Sequence, residues 1–448
     1  VFELERKIAQ VHASREDSAD IGKANNVWSM ADFARKAPGL DWSAFFRSAG
    51  LADQKTFGVW HPGALSGTAK LVDEVPLSTW KDFLDFHAIN HFSATLPKAF
   101  ADQHFAFYER ALSGTPQQPM RWKRALASTN NALQDAVGRM YVERYFPPES
   151  KARLQDMVRN IVAAFSHRID KLDWMAPATK VQAQEKLKTL IVGIGYPDRW
   201  KSYRDLKVLP RDAFGNVLRA EQFNTAQQVA KLHRPVDRSE WAMPAQLVNA
   251  VNLPLQNALN FPAAILQPPF FDPKASDAVN YGGIGATIGH EISHSFDDQG
   301  AQFDAQGRLR DWWSAADMAH FKASSAALAA QFSAYKPFPD LAINGQQTLS
   351  ENLADLAGLS AAYDALKTSE AGKPAGADTD RDFFIGYAQS WRTKTRDEAL
   401  RRQILTDGHA PAAYRTATVR NLDAWYQAFD VQPGQALYLA PAQRVRAW

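Results

Sequence analysis

The sequence predicts an α+β fold that is predominantly α-helical, in two parts that meet near residue 235. Three observations carry this. Apolar residues recur at three- and four-residue spacing through the first half, and no sheet-like alternation appears before about residue 245. Strand-like runs appear only beyond Pro235. After those runs come two helical stretches that carry the most distinctive polar residues of the chain.

The elements follow in order. Segments 78–96, 97–113, 121–146 and 148–175 all show helical spacing. Pro147-Pro148 separates the last two, and proline is well tolerated at a helix start. A further helix is expected over 178–192, then a turn at Gly195-Tyr196-Pro197-Asp198. Residues 247–253 and 258–261 read as strands joined by a polar turn at 254–257. Tyr281-Gly282-Gly283-Ile284-Gly285 leads into a helix that runs through Phe296. Another helix begins after Asn344-Gly345 and includes 349–366. Ala371-Gly372-Lys373-Pro374-Ala375-Gly376 is a low-complexity, loop-like stretch. The expected organisation is a mainly helical lobe over 1–235 and an α+β lobe over 236–448.

Composition narrows the classes. The 448 residues are 46% hydrophobic and 22% charged, which excludes a disordered chain or a coiled coil. Lys and Arg number 51 against 48 Asp and Glu, a net +3, with no long basic block. A nucleic-acid partner is therefore not expected. No apolar run approaches the ~20 residues of a spanning helix, so no membrane-spanning segment is expected. Cysteine is absent, which removes disulfides, thiol nucleophiles and cysteine-held zinc. The opening Val1-Phe2-Glu3-Leu4-Glu5-Arg6-Lys7 has neither an initiator Met nor a signal-peptide pattern, so an upstream segment is expected to be missing.

His290-Glu291-Ile292-Ser293-His294 fits H-E-x-x-H. On a helix, positions four apart share a face, so both imidazoles reach one metal ion, and Glu291 stands beside that face. Ile288 and Ile292 lie roughly 160° around the helix from His290, at ~100° per residue, so one side can pack while the other ligates. With 11 His and 14 Glu in the chain, the pattern arises by chance about once per hundred such chains. The plain alternative is two solvent-facing histidines on a surface helix.

A catalytic zinc site usually has three protein ligands and a water. The longer H-E-x-x-H-x-x-G-x-x-H pattern fails, because Asp297 and Gly300 stand where Gly and His are required. Only Glu351, Glu370 and Glu398 follow the motif. Glu351 opens an apolar helix in Ser350-Glu351-Asn352-Leu353-Ala354-Asp355, with Asp355 four residues on. Such a pair alone is more often a solvated helix face. Coupled to the upstream motif, Glu351 suits the third ligand, and Asp355 suits the carboxylate that accepts the spare N–H of a ligating His. His409 lies in Asp407-Gly408-His409, with Arg415 beyond. A lone loop histidine is usually structural or solvated, but a cationic one beside a zinc would suit an oxyanion.

These residues resemble the neprilysin family of zinc metallopeptidases, which includes neprilysin, endothelin-converting enzymes and bacterial PepO-type oligopeptidases. The resemblance extends through Val248-Asn249-Ala250, the 260–271 segment, Asn280-Tyr281-Gly282-Gly283-Ile284-Gly285 and Phe296-Asp297-Asp298-Gln299-Gly300. It continues through Asp311-Trp312-Trp313, Glu351-Asn352-Leu353-Ala354-Asp355, Ala388-Gln389-Ser390-Trp391, the His409 loop and Trp448. It implies a thermolysin-like (gluzincin) lobe plus an all-α cap lobe enclosing the active-site chamber. It implies one Zn²⁺ per chain on His290, His294 and Glu351, and hydrolysis of oligopeptides by a zinc-activated water. Glu291 is then the general base and Asp355 orients His290. His409, held by Asp407, stabilises the oxyanion, and Arg415 grips the substrate backbone. Asn249 and Ala250 pair with the peptide as an added strand. Ile265, Phe270 and Trp391 line the pocket for an apolar side chain after the scissile bond, which Ala286 and Thr287 make unlike neprilysin's.

Family members are longer at the N-terminus, and Val445 stands at their last cysteine position, which points to a bacterial type. Family habit places the protein outside the cell or in the periplasm, with the cytoplasm as the alternative. The rival functional reading is a catalytically impaired peptide-binding protein on a peptidase-like fold, and the intact Glu291 and His409 speak against it. A non-peptidase zinc hydrolase would lack a use for Asn249, Ala250 and Arg415.

Overall fold

The computed structural model describes residues 1–371 and 378–446 and is predominantly helical. Most of the loop-like 371–376 stretch, and Trp448, lie outside the described residues. The backbone divides into two units, one of Val1–Leu133 and Ser202–Pro235, the other of Gln134–Lys201 and Val236–Trp448.

This division differs from the expected one. The border at 235 recurs, but 134–201 sits with the second unit rather than with the rest of the first half. Two contacts explain it. The helix Pro148–Lys171 packs on the helix Leu349–Ser369 through an apolar stripe that includes Leu154, Ile161, Phe165 and Ile169. The strand Ile191–Gly195 pairs with Ala258–Pro262. The expected helix over 178–192 accordingly ends early, spanning Pro177–Lys188, and its last residues enter that strand. The strand is short, lies at the sheet's edge and is exposed at Ile191, and periodicity cannot separate so brief an apolar run from helix.

In the first unit, the expected helices at 78–96 and 97–113 appear as Leu77–Phe92 and Lys98–His104, the latter continuing as a wider turn, Phe105–Ala111. The expected 121–146 helix breaks at Leu133 into Arg121–Ala132 and Gln134–Tyr145. No Pro or Gly marks the break. Ser128-Thr129-Asn130-Asn131 precedes it, residues whose side chains compete for backbone hydrogen bonds. A two-stranded antiparallel ribbon, Asn26–Ser29 with Thr56–Val59, was not foreseen, because four-residue strands are too short to display an alternation. It packs with Phe33, Trp42 and Phe46 into a small aromatic core.

The second unit holds the larger core. Its three-stranded sheet places Ala258–Pro262 in the centre, buried throughout. Ile191–Gly195 runs parallel on one side, and Val251–Leu253 antiparallel on the other. The strand expected over 247–253 is regular only from Val251, and it is an edge strand. Next to it lie two helices that govern the rest: Ala286–Ser293, here the histidine helix, and Leu349–Ser369, the glutamate helix.

Candidate active site

The histidine helix is entered through the wide turn Tyr281–Gly285. It is buried on every side, with Ile288 and Ile292 fully inside as the spacing required. The surface-helix alternative is thereby excluded. The glutamate helix is apolar nearly all round, as a core helix should be. The two backbones touch at Gly289 and Gly358. A Cβ on Gly289 would lie 2.4 Å from the Gly358 carbonyl oxygen, and one on Gly358 would lie 2.2 Å from the His290 nitrogen. Only two glycines allow so close an approach. It brings His290 directly opposite Asp355, and within reach of Glu351 one turn further back.

Both histidines are fixed by their Nδ1 atoms. A carboxylate accepts only, so Nδ1–H of His290 donates to Asp355 Oδ1 at 2.8 Å, and Nδ1–H of His294 donates to Asp297 Oδ2 at 2.6 Å. Each ring then presents an Nε2 lone pair, and the two Nε2 atoms face one another at 2.9 Å. Glu351 completes the set. Its Oε2 lies 3.2 Å from Nε2 of His290 and its Oε1 lies 3.6 Å from Nε2 of His294. That Oε2 is buried with no donor aligned on it.

The donor set fits zinc. Donors on a tetrahedral ion with ~2.1 Å bonds stand about 3.4 Å apart, close to the three separations here. One carboxylate and two neutral imidazoles, with room for a water, make up a common catalytic ligand set. The electrostatics agree. Burial opposes charge on His294, yet Glu351 and Asp297 override it and hold the ring up at about 10. The surrounding carboxylates thus favour positive charge at this point. Burial likewise opposes charge on Glu351, but His294 and His290 hold its carboxyl well below the usual range.

Around the trio, Arg415 is buried and donates through Nε to Asp355 Oδ2 at 2.7 Å and through Nη2 to Oδ1 at 2.8 Å. That guanidinium overrides burial and keeps Asp355 ionised. Arg415 also lies over the Trp391 ring at 4.2 Å, and Tyr387 donates to its carbonyl. Glu291 is buried, and burial raises its carboxyl above the ordinary value. His409 Nδ1 bonds Asp407 at 2.7 Å, and its Nε2 stands 3.1 Å from Glu351 Oε2.

A cleft of about 520 Å³ unites these groups. Asn249, Ala250, Ile265, Phe270, Trp391 and Arg415 line it, as do the trio, Glu291, Asp355 and His409. Ala286 and Thr287 line it too. Asp407 meets it only through His409. Sequence reasoning missed the role of Asp297, which figured there as the residue that breaks the longer histidine pattern and as part of a family-like segment. Its position three residues after His294 was the available signal. It also missed Asn252, whose Nδ2 donates to the Glu291 carbonyl at 2.7 Å and to Ser295 Oγ at 2.9 Å, tying the edge strand to the end of the histidine helix.

A buried histidine, a half-buried one and a glutamate on crossing helices, with a second glutamate beside them and an edge strand along the same cleft, define a zinc metallopeptidase of the gluzincin class. The matching family is specific: residues 1–197 and 249–445 match the two models of peptidase family M13, and the chain belongs to that family. Its metal is zinc, and His290, His294 and Glu351 are positioned to bind it. The chain is 36% identical to a neutral endopeptidase of Lactobacillus helveticus, over 99% of this chain and 68% of that protein. It is 32% identical to human neprilysin, over 100% of this chain and 63% of that protein, so it spans less than two thirds of the human relative. Among solved structures, a Mycobacterium tuberculosis zinc metalloprotease in complex with an inhibitor superposes with a TM-score of 0.96 at 40% identity, covering 99% of this chain and 69% of that one. PepO from Lactobacillus rhamnosis gives 0.89 at 34%, covering 99% and 70%.

Proposed function

We propose that this chain is a zinc-dependent endopeptidase that cleaves oligopeptides on the N-terminal side of apolar residues. The observation that carries the reading is a single cleft holding the His290, His294 and Glu351 trio, the adjacent Glu291 and the edge strand Val251–Leu253. An extended peptide adds to that edge as a further strand, with Asn249 and the Ala250 backbone beside it. Ile265, Phe270 and Trp391 receive the side chain after the scissile bond.

Zinc, when bound, supplies Lewis acidity that polarises a carbonyl and brings a water's pKa towards neutrality. The protein does the rest. Glu291, with a carboxyl raised by burial, takes the proton of the attacking water and passes it to the leaving amine. His409, whose imidazole Glu351 and Asp407 raise above its ordinary value against the pull of burial, donates to the developing oxyanion. Asp355 fixes the His290 ring, and Arg415 holds Asp355 while edging the cleft.

No helix among the described residues is long and apolar enough to cross a membrane. Secretion or a periplasmic location is part of the same reading and rests on the family resemblance; cell fractionation decides it. The activity is tested with a quenched fluorescent peptide bearing an apolar residue after the scissile bond. Hydrolysis that a chelator abolishes and zinc restores is the expected result. A zinc-loaded chain that binds the peptide without cutting it would overturn the reading.

A further inference from the structure

Lys186 sits where an ammonium is hard to keep. It is 1% exposed, on the helix Pro177–Lys188. Its Nζ donates to three backbone carbonyls, those of Ser295 and Gly300 at 2.7 Å and of Phe303 at 2.8 Å. Three N–H groups meet three acceptors. All three carbonyls belong to the segment 295–303 that leaves the histidine helix.

Asp297 braces the same segment through its N–H groups. Asp297 Oδ1 accepts from Gln299 N at 2.9 Å and from Gly300 N at 2.7 Å. Its Oδ2 accepts from His294 Nδ1 and from Ser350 Oγ. Gly300 is the shared point, with its carbonyl on Lys186 and its N–H on Asp297. A Cβ on Gly300 would lie 1.7 Å from the His294 carbonyl oxygen, so the segment doubles back tightly on the ligand. Asn257 Nδ2 in turn fixes the Lys186 backbone carbonyl at 3.0 Å.

Burial pulls the Lys186 ammonium down to about 7, against the opposing pull of Asp297 and Asp304. Desolvating a charge is expensive, and an apolar side chain of similar volume often serves a fold equally well. Filling space therefore does not account for a lysine here. Aligning three carbonyls does.

We propose that Lys186 is a positioning residue for the metal centre: it pins the 295–303 segment so that Asp297 stays against His294 and holds that ring on the metal. The helix that carries it lies in the part of the chain that matches the N-terminal model of the family, so that part contributes to the catalytic unit.

The proposal rests on the zinc reading of the site. Zinc dissociation constants are measured by chelator competition on the full chain, for the parent, Lys186→Met, Asp297→Asn and the double variant. Cooperative thermal unfolding confirms that each is folded. Outer partners of a ligating histidine are typically worth 10- to 100-fold in metal affinity. Lys186→Met is expected to weaken zinc by about that factor and to lower kcat while KM stays within about twofold. The double variant is expected to bind no worse than the weaker single variant, because both act through Asp297. Zinc affinity in folded Lys186→Met within about twofold of the parent overturns the proposal. Losses that multiply in the double variant overturn it as well. If Lys186→Met does not fold, Lys186→Gln goes through the same cycle. Failure of both to fold makes Lys186 a folding element only and also overturns the proposal. A parent that binds no zinc sinks the site reading itself, whereas a zinc-binding parent with an indifferent Lys186→Met sinks only this inference.

Discussion

The floor and the rim of the cleft are built differently. On the floor, His290, Asp355 and Arg415 are buried, on or against two helices whose backbones touch through glycine. On the rim, Asn249 is exposed, and His409 and Asp407 keep nearly half of their side-chain surface in solvent. The floor sets where a metal ion sits, and it can do so only because its charges are paired and its spacing leaves no slack. The rim meets the peptide, where water can replace a lost hydrogen bond. Substitutions on the floor should therefore strike stability and zinc together, and those on the rim should strike turnover or KM alone.

The sharpest break is expected from Asp355→Ala. It leaves the buried Arg415 without its main partner and His290 without its acceptor. Removing one member of a buried ion pair typically costs about 3–5 kcal/mol. Chemical denaturation should show that loss, and chelator competition should show zinc weakened at least tenfold. Gly358→Ala comes next. Its Cβ collides with the His290 backbone, so the helices must part. A destabilisation of about 1–3 kcal/mol is expected, with reduced zinc content at equal protein concentration. Retention of both zinc and the parent melting temperature would show that the crossing has slack.

On the rim, His409→Ala should lower kcat by about 10²–10³, the usual loss for an oxyanion donor, with zinc content and thermal unfolding unchanged. Loss of zinc in this variant would erase the distinction between floor and rim, because Nε2 of His409 also approaches Glu351. Asn249→Ala should have the smallest effect. One peptide hydrogen bond at about 1 kcal/mol corresponds to roughly a fivefold rise in KM, with kcat nearly constant.

The same contrast governs what the sequence reveals. The ligands were legible because they lie in two short segments, His290 to His294 and Glu351 to Asp355, where helical spacing alone aligns them. The roles of Asn249 and His409 came through resemblance, since loop residues have no periodicity, and so did that of Arg415, whose five-residue helix is too short to show one. Asp297 was within reach as the i+3 neighbour of His294, but no role was drawn from it. Lys186 was not within reach. It meets its partners more than a hundred positions away and through backbone carbonyls, which leave no mark on side-chain identity. The helices that were read recur, apart from the break at Leu133 and the early ends at Lys188 and Ser293, whereas those before Leu77, and Ala213–Val229 and Ala315–Ser333, were not read. Of the Ile191–Gly195 strand, Ile191 and Val192 were read as the end of a helix and Gly195 as part of a turn, so the pairing that joins residues 134–201 to the catalytic unit was missed.

The central claim is that Glu291 does chemistry at a zinc site it does not help to bind. Glu291→Gln keeps the shape of the side chain and removes the base. The direct measurement is kcat on the fluorescent peptide, taken beside zinc stoichiometry by atomic absorption, for this variant and the parent. The expected result is one zinc per chain in both, with kcat lowered by about 10²–10⁴, the usual contribution of a positioned base. Parent-like turnover in zinc-replete Glu291→Gln would contradict the account.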